Sequence, residues 1–338
     1  MTTTVRTRTT RRLTGLKPTG HLHLGNLLGA IRPLVAAQYD TESVVIVVDL
    51  HALTVEHDPH RVRALTLEQA TTLLAAGIDP ERSLFYVQSH VPHHAELHYL
   101  LECATGYGEA HRMIQFKERA GRDRAGLRLS LLTYPVLMAA DILLHDTDEV
   151  PVGDDQTQHL ELARDIATRF NARYGHTFAV PRAVNPVAAA RVMDLTEPTS
   201  KMAKSGADDG RGFAAGTIFS LDPPAAVRRK VMRAVTDSVG EIRYDPAGQP
   251  GVANLLEIFA GCVGGSPAAH AAAFTSYGEL KGAVAEAVDA TLRPIRQRYA
   301  ELAKDPGYVR QVLVEGADRA RDSAADTVHR ARRALGLL

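Results

Sequence analysis

The run at residues 43–50, "SVVIVVDL", constrains the fold more than any other stretch of the chain. Its β-branched side chains are stiff at χ1 and favour extended backbone. The apolar residues are consecutive rather than alternate, so both faces of the strand must be covered. That is the situation of a strand inside a parallel sheet with helices on either side. The neighbouring segments supply such a sheet: 13–16 reads as a first strand stopped by Pro18 and Gly20, "SLFYVQS" (83–89) as a third, and "DEVPVG" (148–153) as a short fourth. Apolar residues recur at helical spacing over 26–38, 59–76 (with Gly77 as the stop), 93–117 and 134–145. Asp154 or Asp155 is placed to cap a further helix running to Tyr174. Strand–helix alternation of this kind predicts an α/β fold with a Rossmann-like, doubly wound parallel sheet.

Over 181–216 the pattern breaks into Pro, Gly, Ser and Asp, which reads as a linker. Beyond it only helical spacing remains, over 223–235, 251–263, 277–302 and 308–335, so an all-helical domain is expected after the sheet. A length of 338 residues suits two domains. The basic start, "MTTTVRTRTTRR", has no apolar stretch after it and reads as a frayed tail rather than a secretory signal. No run reaches the ~18 apolar residues of a membrane span, and two cysteines are too few for a disulfide framework or an iron–sulfur cluster. A soluble, cytoplasmic protein is expected. Lys and Arg together number 39 and balance 39 Asp and Glu, so nucleic acid would have to be met by local patches, such as 117–128 or Arg228–Lys230 with Arg233, each also readable as a solvated face.

Two stretches carry chemistry. "KPTGHLHLGN" (17–26) lies between the first strand and its helix. One reading is a Gly-rich turn with surface histidines. The other is a nucleotide seat: Gly25 allows close backbone approach, the helix opening at Asn26 turns free N–H groups toward an anion, and His23 and Asn26 add side-chain donors. "KMAKS" (201–205) puts Lys201 and Lys204 in a loop, either as a solvated linker or as cations able to neutralise a leaving pyrophosphate. His94 and His98 have the i, i+4 spacing of zinc ligands but lack a third partner, and zinc is not expected.

Together and in this order, the two stretches resemble the HIGH and KMSKS signatures of class I aminoacyl-tRNA synthetases. "VDLHALTVEHDP", "AAGIDP", "VQSHVPHHAEL", "QFKERAG", "LLTYPVLMAADILL", "DTDEVPVGDDQTQHLELARDIATRFNARYG", "AVTDS" and "LRPIRQRY" look like bacterial tryptophanyl-tRNA synthetases over nearly the whole chain. Tyrosyl-tRNA synthetases share the signatures but lack the "MAADILL…VPVGDDQ" block.

The resemblance implies an ATP-dependent tryptophan–tRNA ligase that forms tryptophanyl-adenylate and pyrophosphate, then charges tRNA(Trp). Asp141 would accept the indole N–H; Met138, Val150 and Val152 would line the ring pocket, with Leu13 where a Phe is usual. Tyr134 and Gln156 would bind the substrate ammonium, and His51 would lie near its carboxylate. Lys17, Pro18, Thr19, Gly25 and Asn26 would meet ATP, with Gly153, Asp154 and Asp155 at the ribose, Val192 at the adenine, and Lys201, Met202, Ala203, Lys204 and Ser205 on the phosphates. His23, Asn26, Lys201 and Lys204 would carry catalysis, and Mg2+ would be held mainly by the phosphates. The implied domains are a catalytic domain over 1–196 with a helical dimer-interface segment at about 92–128, a KMSKS-type loop and linker over 197–212, and an anticodon-binding domain over 213–338 whose last helix returns to the catalytic domain. The implied partners are tRNA(Trp), tryptophan, ATP and a second copy of the chain, with neither membrane nor DNA.

Four positions depart from the usual bacterial pattern: Leu13 for Phe, Lys17 for Gln, Leu50 for Gln, and Ala203 for the middle Ser of the lysine loop. They cluster near the amino acid and its junction with ATP. This suggests an auxiliary synthetase tolerant of a tryptophan-mimicking inhibitor, and the absence of tryptophan from the chain fits synthesis when charged tRNA(Trp) is scarce. A paralogue that has lost tRNA charging and a small-molecule adenylyltransferase are the competing readings.

Overall fold

A computed structural model describes residues 9–113, 128–153, 156–184, 192–203 and 215–338. Strands β1 (Arg11–Leu16), β2 (Glu42–Val47), β3 (Leu84–Val87), β4 (Glu149–Pro151) and β5 (Arg182–Val184) form one parallel sheet in the order β3-β2-β1-β4-β5. In β2 the side chains divide as the continuous apolar run requires. Val45 and Val47 join one core, while Val44, Ile46 and Val48 join the other. The fold is thus Rossmann-like, with its chain reversal between β1 and β4.

The segment after β1 starts its helix at Leu24, two residues before the expected Asn26. It runs as α1 (Leu24–Asn26), a π turn (Leu27–Ile31) and α2 (Arg32–Ala37). Pro33 has no N–H and its ring crowds the carbonyl four residues back, so one wide turn before it relieves an otherwise broken helix. After β2 a 3-10 turn (Leu50–Thr54) leads to α3 (Pro59–Ala75), which is capped by Asp58 and opens on Pro59. The helix expected over 93–117 is broken at Gly106 into α4 (His93–Glu102) and α5 (Tyr107–His111); the rest of that expectation lies outside the described residues. Next come α6 (Ser130–Leu144), which starts one turn earlier than expected, and α7 (Thr157–Tyr174).

Two sequence expectations need correction. The presumed tail ends in β1: Arg11 pairs with Glu42 at 2.8 Å, and Arg12 pairs with Glu149 at 2.5 Å. The presumed linker contains β5, whose pairing with β4 is reinforced by an Arg182–Glu149 ion pair.

The rear helices are α8 (Pro224–Met232), α9 (Pro250–Val263), α10 (Pro267–Ala271), α11 (Tyr277–Leu302) and α12 (Pro306–Ala334). The α11 helix packs on α8, α9 and α3. The last helix, α12, instead lies across β3 and α4; Ala317, Ala320 and Ala324 are fully buried in the same core as Tyr86 and α6. The basic run on α8 is not a simple solvated face. Lys230 is 7% exposed, and its Nζ donates at 2.7 Å to both Asp222 Oδ2 and the Thr217 carbonyl.

Candidate functional site

In an open parallel sheet, ligands bind beyond the carboxyl ends of the strands at the point of chain reversal. A cavity of about 400 Å3 lies there, beyond β1 and β4. Strand β1 and the residues after it contribute Leu13, Gly15 and Lys17; the turn after β2 contributes His51 and Thr54. Helix α6 contributes Tyr134, Met138 and Asp141, and the β4 side contributes Val150, Val152 and Gln156. Every residue expected at the amino acid therefore lines this one cavity. Lys17, expected with ATP, lines it too; its Nζ donates to Thr54 Oγ1 at 3.3 Å, and that hydroxyl donates to the His51 carbonyl at 2.9 Å. Tyr134 Oη lies 2.8 Å from His159 Nε2.

Asp141 is the charged group in the floor, only 3% exposed. Gln88 Nε2 donates to its Oδ1 at 2.7 Å, and His94 Nδ1 lies 2.7 Å from the same oxygen. His51 Nε2 lies 2.8 Å from Oδ2. Burial pushes the carboxyl up, but hydrogen bonds from His51 and His94 outweigh it and hold the group well below the usual carboxylate range. The site is therefore an apolar slot with an ionised acceptor at its base.

The first signature is built differently from the sequence expectation. His23 caps α1: Asn26 N–H donates to its Nδ1 at 3.3 Å, while Asn26 Oδ1 accepts from His23 N–H at 3.2 Å. Leu24 N–H donates to the Ile218 carbonyl at 2.8 Å, and Leu27 N–H to the His23 carbonyl at 3.1 Å. The N–H groups of Leu24, Asn26 and Leu27 are thus engaged within the protein rather than free for an anion, and His23 is buried. Pro18 is buried and Thr19 exposed at the mouth of the same turn.

The second signature lies against the first. A Cβ added at Gly25 would lie 3.1 Å from the capping His23 ring and 3.5 Å from the Val192 Cβ, so the glycine leaves room for that ring while its segment packs against Val192. Met193 and Lys201 form an antiparallel bridge, and Met202 N–H donates to the Val192 carbonyl at 3.2 Å. Asn254 on α9 pins this hairpin: Met193 N–H donates to its Oδ1 at 2.9 Å, and its Nδ2 donates to the Met193 carbonyl at 3.0 Å. Lys201 and Ala203 are exposed and Met202 is buried. Gly153 lines a neighbouring cleft of about 430 Å3, together with Gly29 and Pro151. Asp154, Asp155, Lys204, Ser205 and most of the basic stretch 117–128 lie outside the described residues.

Sequence reasoning missed Gln88, and it placed His94 in a zinc reading. His94 instead serves Asp141, and His98 pairs with Glu102 at 3.0 Å. The one available signal for Gln88 was a polar residue directly after the buried run of β3. Among the described residues, no three His, Cys, Asp or Glu side chains gather into a metal site.

Residues 5–293 match the family described as "tRNA synthetases class I (W and Y)". The chain is 59% identical to tryptophan–tRNA ligase 1 of Streptomyces coelicolor, over 97% of this chain and 98% of that one. It is 58% identical to ligase 1 of Streptomyces avermitilis, covering 97% and 99%, and 46% identical to ligase 2 of the same organism, covering 97% of each. Among solved structures, the tryptophanyl-tRNA synthetase of Mycoplasma pneumoniae superposes with a TM-score of 0.87 at 34% identity, covering 97% of this chain and 98% of that one. The Campylobacter jejuni enzyme, complexed with ADP and tryptophan, gives 0.80 at 33%, covering 96% and 99%.

Proposed function

The chain belongs to the class I tRNA synthetases for tryptophan and tyrosine, and we propose that the cavity beyond β1 and β4 is its tryptophan site. The protein is an ATP-dependent tryptophan–tRNA ligase. It joins tryptophan to AMP with release of pyrophosphate, then passes the aminoacyl group to the terminal ribose of tRNA(Trp). The observation that carries the site assignment is the ionised Asp141 at the base of an apolar slot. A buried acceptor aimed at one N–H rejects side chains lacking it far better than an apolar wall does.

The residues divide the work. Met138, Val150, Val152 and Leu13 enclose the ring; Tyr134 and Gln156 face the ammonium; His51 and Lys17 lie toward the carboxylate that attacks the α-phosphorus of ATP. Val192, Gly25 and Gly153 border the nucleotide, and His23 and Asn26 fix the turn beneath it. Lys201, with Lys204 and Ser205, meets the phosphates and neutralises the leaving pyrophosphate. Asp154 and Asp155 complete the ribose side. Magnesium arrives on the phosphates of ATP. Attack, departure and charge neutralisation require positioning rather than a covalent enzyme intermediate.

The helical portion after residue 213 reads the anticodon, while α12 belongs with the catalytic sheet. A second copy of the chain covers the segment 92–128, where Tyr99 and Tyr107 are 66% and 71% exposed, and Leu129 beside it is 73% exposed. Among the described residues no helix is long and apolar enough to cross a membrane; the cytoplasm, where tRNA is charged, is its proposed place.

An auxiliary, inhibitor-tolerant role has a specific support. Two of the chain's departures, Leu13 and Lys17, line the cavity, and a third, Leu50, donates its backbone N–H to Gln88 Oε1 at 3.1 Å, beside Asp141.

Tryptophan-dependent exchange of pyrophosphate into ATP, followed by charging of tRNA(Trp), tests the function. Both are expected. No exchange would refute the ligase, and exchange without charging would indicate a repurposed paralogue. Sedimentation at micromolar concentration tests the dimer.

A further inference from the structure

Behind Asp141, on the side away from the cavity, four more polar side chains continue inward through the core. Tyr86 on β3 and His94 on α4 are both fully buried, and His145, just past the end of α6, is 1% exposed. Tyr86 Oη lies 2.8 Å from His94 Nε2 and 2.7 Å from His145 Nε2. His145 Nδ1 lies 3.2 Å from Ser323 Oγ on α12. Ser323 is half-buried and borders a small cleft with Arg11 and Arg319 at the opposite end of the sheet from the cavity. One chain of hydrogen bonds therefore runs from the base of the amino-acid slot to the last helix. It draws its members from four different elements.

We propose that Tyr86, His145 and Ser323 are positioning residues for tryptophan selection, forming a one-way hydrogen-bond chain that holds His94 against Asp141 and so aims the carboxylate at the indole N–H. The inference rests on the reading of Asp141 as the indole acceptor. The direction follows from the donors and acceptors available. An ionised Asp141 only accepts, so His94 Nδ1–H donates to Oδ1. His94 Nε2 then accepts from the Tyr86 hydroxyl. Burial and the charge of Asp141 raise the phenol, so it keeps its proton to donate. The Tyr86 oxygen accepts from His145 Nε2–H; burial keeps that imidazole neutral. His145 Nδ1 accepts from the Ser323 hydroxyl. Every donor points toward Asp141, and in a dry interior each bond polarises the next.

The arrangement has a use in recognition. Gln88 and His94 both occupy Oδ1, and His51 binds Oδ2 from the side, so the remaining capacity of Oδ2 is what the slot offers a ligand. The fixed tautomer of His94 is what keeps Oδ1 satisfied and the carboxylate from rotating. A phenylalanine at position 86 would fill the same space, so the hydroxyl is explained by its two bonds and not by packing. Without it, His94 Nε2 is left without its acceptor role in the core, and the ring can exchange its proton between nitrogens. The aim of Asp141 then loosens while the apolar walls stay in place.

The test compares tryptophan with its benzothiophene isostere, in which sulfur replaces the indole N–H, in pyrophosphate exchange. Tyr86→Phe is expected to raise KM for tryptophan about 10-fold, leave kcat and KM for ATP within about 3-fold, and cut the preference for tryptophan over the isostere about 10-fold. Ser323→Ala, at the half-buried far end, is expected to move the same preference about 3-fold in the same direction. A packing defect would slow both substrates together and leave the preference intact, and that result in both variants overturns the proposal. Asp141→Leu, which removes every acceptor at that position in a similar volume, separates the two readings. If it leaves the preference unchanged, Asp141 is not the indole acceptor; if it collapses the preference while Tyr86→Phe and Ser323→Ala do not, the relay alone fails.

Discussion

His51 Nε2 lies 2.8 Å from Asp141 Oδ2, tying the turn after β2 to the last turn of α6 across the base of the cavity. The bond helps keep the buried carboxyl ionised, so its value in the folded protein lies below its value in the unfolded chain. The stabilisation is complete above the unfolded carboxylate value of about 4 and is lost as pH falls below it. The thermal midpoint is expected to drop as pH is lowered from about 5 to about 3, and Asp141→Asn should remove part of that slope. Melts followed by circular dichroism across this range check it; equal slopes in the two proteins would contradict the assignment.

Lys17 places an ammonium in the amino-acid cavity, 3.3 Å from Thr54 Oγ1. A compact cation there changes what a tryptophan mimic meets at the junction with ATP. Lys17→Gln is expected to leave turnover within about 5-fold while increasing sensitivity to an indole-based analogue about 10-fold or more. Inhibition of pyrophosphate exchange by such an analogue, measured on both proteins, decides it. Equal inhibition constants would remove Lys17 from the account of inhibitor tolerance.

The sheet was legible because its central strands announce themselves. The unbroken apolar run of β2 buries alternate residues in two separate cores, so the pattern carried the two-sided environment directly. By contrast β5, three residues long with two of them exposed, owes its existence to pairing with β4 and leaves no trace in hydrophobic periodicity. The π turn before Pro33 was equally hidden, since periodicity records which face is apolar and not how the backbone bonds. At the site, the residues of contiguous motifs were readable: Leu13 and Lys17, Tyr134, Met138 and Asp141, and Val150, Val152 and Gln156 converge on one cavity. Gln88, Tyr86, His94 and His145 were not, because each looks ordinary in its own segment and only tertiary packing brings them behind Asp141. Spacing even misdirected the reading of His94, whose i, i+4 neighbour points to a different partner.

Asn254 satisfies both backbone groups of Met193 and is itself 3% exposed. It anchors the hairpin that begins at Val192 and carries Lys201 to the helical portion of the chain. Asn254→Ala removes the partner of both backbone groups of half-buried Met193, a loss on the order of 1–3 kcal/mol. The expected kinetic signature is a rise of about 10-fold in KM for ATP with KM for tryptophan nearly unchanged. Steady-state exchange with each substrate varied in turn measures it, and equal rises in both would mean general unfolding instead.

The Lys230–Asp222 pair is buried on both sides, 2.7 Å apart, and Lys230 also donates to the Thr217 carbonyl. Desolvating two charges costs about as much as their attraction returns, so the pair is a weak source of net stability but a strong constraint. Lys230→Met alone strands the carboxylate and is expected to destabilise by about 3 kcal/mol or more. Replacing both residues with apolar ones should recover a substantial part of that loss. Urea unfolding of the two variants gives the comparison. A double variant no better than the single would show that the Thr217 carbonyl, and not the carboxylate, sets the cost.

Gly316 and Gly282 make opposite predictions from the same substitution. A Cβ at Gly316 on α12 would come within 1.8 Å of the Phe85 carbonyl of β3, so the helix can lie on the strand backbone only because this side chain is missing. Nothing lies within 4 Å of a Cβ at Gly282 on α11. By propensity alone, alanine stabilises a helix interior over glycine by about 1 kcal/mol, and Gly282→Ala should show that gain. Gly316→Ala receives the same propensity benefit and loses far more, because a backbone carbonyl cannot rotate out of the way as a side chain can. The expected net effect is a destabilisation of at least about 2 kcal/mol. It should be concentrated in the last helix, so limited proteolysis should cut within 306–334 before any other part of the chain. If Gly316→Ala melts at or above the wild-type temperature, the seating of α12 on β3 is wrong. The path from Ser323 to Asp141 would then lose its outer end.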